Sequence, residues 1–201
     1  LQTFIFDAPR RPRHIAFDGQ EVLLAEKKEN YALGNYVFQY YNMPAFPDRL
    51  QAFREVTTAE FDPGKTPPEV KQLLRDALKD ESRVIRSMAV AEADLSDRAI
   101  LEMVRQLAKA DPHSGVRSAA LQRLAASGDP KMAKTIAEAV RRDSAYPVIT
   151  AGLEALAEMD IETALKVAEE FREVDNASII AALSEVYIYS GDTAHLPFFE
   201  K

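Results

Sequence analysis

The chain has 201 residues, 47% of them apolar, enough to bury a substantial core in one domain or two small ones. Its net charge of −7 and pI near 5.1 argue against nucleic acid or an anionic membrane as partner, since either needs a basic footprint. With no cysteine there is no disulfide framework and no thiolate metal site, and that alone does not separate cytoplasm from periplasm. No apolar run approaches the roughly 20 residues that span a bilayer, and Phe4-Ile5-Phe6, with no basic segment before it, does not read as a signal peptide.

Residues 1–28 differ in kind from the rest. Phe4-Ile5-Phe6, His14-Ile15-Ala16-Phe17 and Val22-Leu23-Leu24 are three short β-rich runs, separated by Pro9-Arg10-Arg11-Pro12 and by the hairpin signal Asp18-Gly19. They predict a small β segment, the last strands of a sheet or β-sandwich whose other strands lie upstream. The first run opens with no turn or cap before it, and the chain closes on the apolar Leu196-Pro197-Phe198-Phe199 where a solenoid normally carries a polar cap. Both ends lead us to expect a fragment of a longer protein.

From residue 29 the period becomes helical. Tyr31, Leu33, Tyr36, Val37, Tyr40 and Tyr41 predict an aromatic amphipathic helix that stops near Met43-Pro44. Asp48 is the expected N-cap of a second helix with Leu50, Phe53 and Val56 on one face. Phe61-Asp62-Pro63-Gly64-Lys65-Thr66-Pro67-Pro68 is a loop inserted between helices, a local joint.

The later chain repeats. Asp80, Asp111, Asp143 and Asp175 lie 31, 32 and 32 residues apart. In the first three copies an apolar residue follows five positions on (Ile85, Val116, Val148) and another ten positions on (Val90, Leu121, Leu153). A period of this size with two helices per unit marks a helical solenoid. Longer first helices are predicted over 69–79, 97–110, 130–142 and 161–174, and shorter second helices over 83–93, 115–126, 147–158 and 177–189. Gly128 and Gly191 stand just past helix ends, and Pro112 and Pro147 near helix starts. Alanines in the second helices (Ala89, Ala119, Ala120, Ala151, Ala181, Ala182) allow neighbouring helices to approach closely. Each recurring aspartate falls at the turn inside a unit, where its carboxylate is expected to accept from free amides at a helix start. Arg86 and Arg117, six residues after the first two, are placed to add a charge-assisted bond between units.

Two family resemblances follow from these runs. Asp-x4-Val-Arg-x-Ala-Ala-x3-Leu-x3-Gly-Asp-Pro at 111–130 resembles a HEAT-type repeat, which implies a HEAT/ARM-like α-α superhelix over about 69–190 and says nothing of chemistry. The strand pair with Pro12, Phe17 and Asp18, then Phe38-Gln39-Tyr40, Asn42-Met43-Pro44 and Arg49-Leu50-Gln51-Ala52-Phe53, is similar to gluzincin zinc aminopeptidases of the aminopeptidase N type. Ser190-Gly191-Asp192 with the closing Leu196–Lys201 run also resembles that family's later helices. The resemblance implies a division into β-sandwich strands at 1–28 and a HEAT-like repeat domain at 29–201. It further implies a non-catalytic C-terminal part that closes over its own upstream catalytic domain, walls a cavity for peptide substrates, and leaves the zinc to that domain. The family's Gly-x-Met-Glu-Asn and His-Glu-x-x-His signatures are absent from this chain, so no catalytic, cofactor-binding or metal residue is assigned. The other reading is a HEAT-repeat scaffold that binds a protein partner and has no enzymatic parent.

Candidate chemistry is thin. His14, His113 and His195 lack the i, i+4 partner of a helical zinc pair and are expected to be exposed polar side chains. Glu154 and Glu158 share a helix face, as solvated carboxylates commonly do. Ser114-Gly115 and Ser127-Gly128 read as helix punctuation, Tyr31, Tyr36, Tyr40 and Tyr41 as packing of the first helix against the β layer, and Arg10, Arg11 and Arg13 as a solvated turn.

Overall fold

Alanine- and leucine-rich segments closed by polar caps dominate the chain, and the computed structural model is accordingly mainly helical. It describes residues 3, 5, 7–15, 18, 22, 29, 31–62 and 64–199. The helices are α1 (Leu33–Asn42), α2 (Phe46–Thr57), α3 (Pro68–Ala77), α4 (Arg83–Ala91), α5 (Arg98–Ala110), α6 (Ser114–Ala125), α7 (Lys131–Arg142), α8 (Tyr146–Met159), α9 (Ile161–Ala168) and α10 (Ala177–Ser190). Short 3-10 turns cover Glu169–Phe171 and Thr193–Phe198. Two compact units divide the chain, Leu1–Leu73 and Leu74–Lys201.

The expected β segment is not seen. Phe4, Phe6, Ala16, Phe17, Leu23 and Leu24 lie outside the described residues, and those described between them carry no strand. In the first unit, α1 and α2 form a helical hairpin packed through Tyr36, Tyr40, Ala52, Phe53 and Val56, all buried. Asp48 is not the cap of α2. The helix begins earlier, with Ala45 as its N-cap and Pro47 in its first turn, so Asp48 stands inside that turn and is buried. Proline's fixed φ suits that position and moves the start upstream.

In the second unit the second helices α4, α6, α8 and α10 stack in chain order, while α5, α7 and α9 lie against them and touch one another less. The repeated apolar positions are the core: Ile85, Val116, Val148, Val90, Leu121 and Leu153 are each 0% exposed. α8 sits at the centre, against α6, α7, α9 and α10, and is buried nearly all round. Its Gly152 explains how it gets so close: a Cβ built there would stand 2.1 Å from Val140 Cγ2 on α7 and 3.3 Å from Leu121 Cδ1 on α6.

Helix ends follow local chemistry. Ser82, Asp97, His113, Asp160 and Asn176 each accept an amide hydrogen bond at the start of α4, α5, α6, α9 and α10. Gly128 and Gly191 take positive φ (70° and 64°) just past α6 and α10, a conformation that favours glycine. The expected alternation of long first and short second helices fails in the later repeats. α7 has 12 residues against 14 in α8, and α9 has 8 against 14 in α10. Burial extends α8 and α10, whereas α9 tightens into a 3-10 turn where Glu169 accepts a hydrogen bond from the Tyr187 hydroxyl.

Candidate functional site

The recurring aspartates build the most ordered polar array of the second unit. Each precedes a second helix by a few residues, and in the first three copies its Oδ1 accepts from the amide two positions on: Asp80 from Ser82 at 2.7 Å, Asp111 from His113 at 2.8 Å, Asp143 from Ala145 at 2.9 Å. Those amides belong to the N-cap residues of α4, α6 and α8, so the carboxylates brace the turns, and the side chains of Ser82 and His113 in addition cap α4 and α6. Across the repeat, Arg86 clamps Asp111 with Nε and Nη2 at 2.7 and 2.9 Å, and Arg117 clamps Asp143 at 2.6 and 2.9 Å. The remaining guanidinium nitrogen of each arginine donates to the carbonyl of its own unit's aspartate, Asp80 at 2.9 Å and Asp111 at 2.7 Å. Every arginine thus ties the turn of one repeat to the carboxylate of the next.

These are nearly buried pairs, with side chains 11% and 1% exposed for Arg86–Asp111 and 16% and 11% for Arg117–Asp143. Burial pushes both carboxyls up, but the arginine hydrogen bonds and the turn amides outweigh it and hold Asp111 and Asp143 below the ordinary carboxylate range. The array ends at the fourth copy. Ile149 occupies the place six residues after Asp143, Asp175 is exposed, and Asn176 caps α10 in its stead. The expected capping by Asp175 is therefore not found: with no arginine to pair with, the carboxylate keeps its hydration.

Two grooves run along the second unit. The one between α5 and α7, about 650 Å³, has Lys109 and Arg142 on its rim beside Glu102 and Glu138, and the buried Asp111 and half-buried Asp143 in it are already paired. Its charges cancel and call for no particular ligand. The other, about 470 Å³ between α6 and α8, has a floor of alanines with Glu154 and Glu158 beside it. Burial, then Glu185 on α10, then Glu158 push the Glu154 carboxyl above its ordinary value. Ala91, Gln122, Glu154 and Glu185 occupy matching places in the four second helices, so this face grows more acidic toward α10. Ser114 opens α6, and Ser127 Oγ donates to the Leu124 carbonyl at 2.6 Å; both serve helix ends, as the sequence suggests.

The histidines are not the exposed side chains the sequence suggests. All three are half-buried. His113 Nδ1 accepts from the Gly115 amide at 3.2 Å, His195 stacks on Tyr187 with centroids 4.3 Å apart, and His14 leans on Tyr31 at 4.9 Å. In the first unit Tyr36 and Tyr40 are buried while Tyr41 is 48% exposed. Glu29 gathers hydrogen bonds from Gln51 Nε2 at 2.7 Å and from the Tyr36 hydroxyl, through its carbonyl, at 3.2 Å. Arg10, Arg11 and Arg13 are exposed, Arg13 standing 5.8 Å over the Phe38 ring.

Residues that also order the structure were not signalled by the repeat. Arg123 donates from α6 to the Ala93 carbonyl behind α4 at 2.6 and 3.1 Å, Arg75 pairs with Asp97 at 2.8 Å, and Arg141 pairs with Glu170 at 2.7 Å. Arg141 and Arg172 lie 31 residues apart, and Asp97, Asp129 and Asp160 lie 32 and 31 apart, but these pairings themselves do not repeat from unit to unit, so only the fold brings each partner near. Among the described residues no group of three or more histidines, aspartates or glutamates could hold a metal ion, and no helix is long and apolar enough to cross a membrane.

Against known proteins, residues 72–157 match the family model for HEAT repeats. That stretch runs from within α3 to near the end of α8 and contains the whole arginine–aspartate array. No curated protein matches the chain. Over the matched residues the second unit is thus a stack of HEAT-like helix pairs within an all-helical region.

Proposed function

We propose that this chain is the non-catalytic helical arm of a zinc-dependent aminopeptidase of the aminopeptidase N type, closing over an upstream catalytic domain and walling its peptide cavity. The observation that carries the reading is the run Phe38-Gln39-Tyr40, Asn42-Met43-Pro44, Arg49–Phe53. Its residues hold the α1–α2 hairpin: Gln39 Nε2 donates to the Asp48 carbonyl at 3.0 Å and to Gln51 Oε1 at 3.1 Å, and Arg49 Nη1 donates to the Pro44 carbonyl at 2.8 Å. HEAT-like repeats downstream of the hairpin agree with that arrangement. With it goes the division into β-sandwich strands over 1–28 and a helical repeat domain over 29–201.

Zinc, on this reading, belongs wholly to the catalytic domain. The described residues do not fit it: His113 is occupied by an amide, His195 is stacked on a tyrosine, and no acid–histidine cluster exists among them. The test is the full-length polypeptide that carries this chain. It should contain His-Glu-x-x-His upstream and release N-terminal residues from peptides in a chelator-sensitive way, while the chain alone retains no zinc after dialysis. A full-length polypeptide without that motif and without such activity overturns the proposal.

The second reading is a HEAT scaffold for a protein partner with no enzymatic parent. What favours it is the matched repeat region and the groove between α6 and α8. Absence of the zinc signature upstream, together with a protein held in that groove, would decide for it.

A further inference from the structure

We draw no further inference here: the strongest candidate, the face of α6, α8 and α10 where Glu154, Glu158 and Glu185 stand beside an alanine-floored groove, is an acidic cluster on small residues, and nothing in the structure shows what covers it.

Discussion

The repeat junctions at Asp111 and Asp143 and the last one at Asp175 start from the same residue at the same spacing and end in opposite environments. The first two carboxylates are sunk between repeats because an arginine six residues past the preceding aspartate reaches them with two parallel hydrogen bonds. The last is exposed because that place is taken by Ile149, which is buried in α8 instead. A recurring aspartate is therefore only half a device. Desolvating a carboxylate is costly unless its charge and lone pairs are met, and where the partner is missing the fold leaves the carboxylate in water and closes the junction by other means. Around α10 those means are apolar packing, the Tyr187–Glu169 hydrogen bond at 3.2 Å and the Arg141–Glu170 pair.

The largest effects should come from splitting a buried pair. Arg117→Ala leaves the Asp143 carboxylate buried without its partner and should cost about 3–5 kcal/mol. Asp111→Ala should be comparable, stranding Arg86 and freeing the His113 amide, and should weaken the repeats on both sides of it. Asp175→Ala, at the exposed copy, should fall within about 0.5 kcal/mol of the parent. Chemical denaturation of the three variants measures the contrast; equal midpoints for Asp111→Ala and Asp175→Ala would remove it. The pH dependence has a definite sign. Asp111 and Asp143 have folded pKa values lowered below the unfolded one, so their contribution is present above the unfolded value and is lost as pH falls through the folded values. Acid should cost the parent more stability, below about pH 4, than it costs Arg117→Ala.

Much of this comparison is legible in the sequence. The period, the apolar positions five and ten residues after the first three aspartates, and the arginines six residues after two of them all survive in the fold, because a solenoid repeats its contacts along the chain. The gap in the pattern at Ile149 is legible too, though the fate of Asp175 needs the burial around it. The helix hairpin at 31–57 can be read from its periodicity, but not the start of α2, where Pro47 displaces Asp48 from the cap. Grooves and cross-repeat arginines outside the period, such as Arg123, are products of how the helices stack, so local spacing carries no trace of them. The candidate chemistry was sparse in the sequence, and the structure gives its polar groups chiefly structural partners.

Next in size is the apolar side of the same junctions. Glycine inside a helix costs about 1 kcal/mol relative to alanine, so an isolated one in α8 marks a packing demand. At Gly152 the demand is Val140, a β-branched residue with little freedom to turn aside. Gly152→Ala should lose about 1–3 kcal/mol to overpacking, partly offset by the gain in helix propensity. The double variant Gly152→Ala with Val140→Ala should recover part of the loss. If Gly152→Ala raises the melting temperature instead, α7 and α8 are less tightly seated than this contact implies.

The last repeat should reveal its own chemistry at the opposite end of the pH scale. Burial first, then the Glu169 charge and hydrogen bond, push the Tyr187 phenol up to about 12. A raised pKa means the contribution is complete below the ordinary value near 10 and is lost as pH rises through the folded value. Tyr187→Phe should cost about 0.5–1.5 kcal/mol at neutral pH by removing the bond to Glu169, and should shrink the late phase of the ultraviolet phenolate titration, to which Tyr31 and Tyr36, also raised by burial, still contribute. A titration in which every tyrosine ionises together would contradict that placement.

The smallest effect should run the other way. Glu154 and Glu158 are four residues apart on α8, a like-charge spacing that destabilises a helix by about 0.2–0.5 kcal/mol, and Glu185 adds its repulsion from α10. Because burial and these neighbours raise the Glu154 pKa, folding favours its protonated form, and its contribution is lost as pH rises through the folded value. At neutral pH the charged residue is therefore a small burden that the arginine-paired junctions do not carry. Glu154→Gln keeps the shape and removes the charge, so it should raise the denaturation midpoint by a few tenths of a kcal/mol. Salt should shrink the gain, since screening relieves the same repulsion in the parent. At pH 4, where much of the parent's Glu154 is already protonated, the two proteins should converge. A gain that persists unchanged at high salt and low pH would mean the glutamine improves packing, and the acidic drift from α4 to α10 would have no energetic weight.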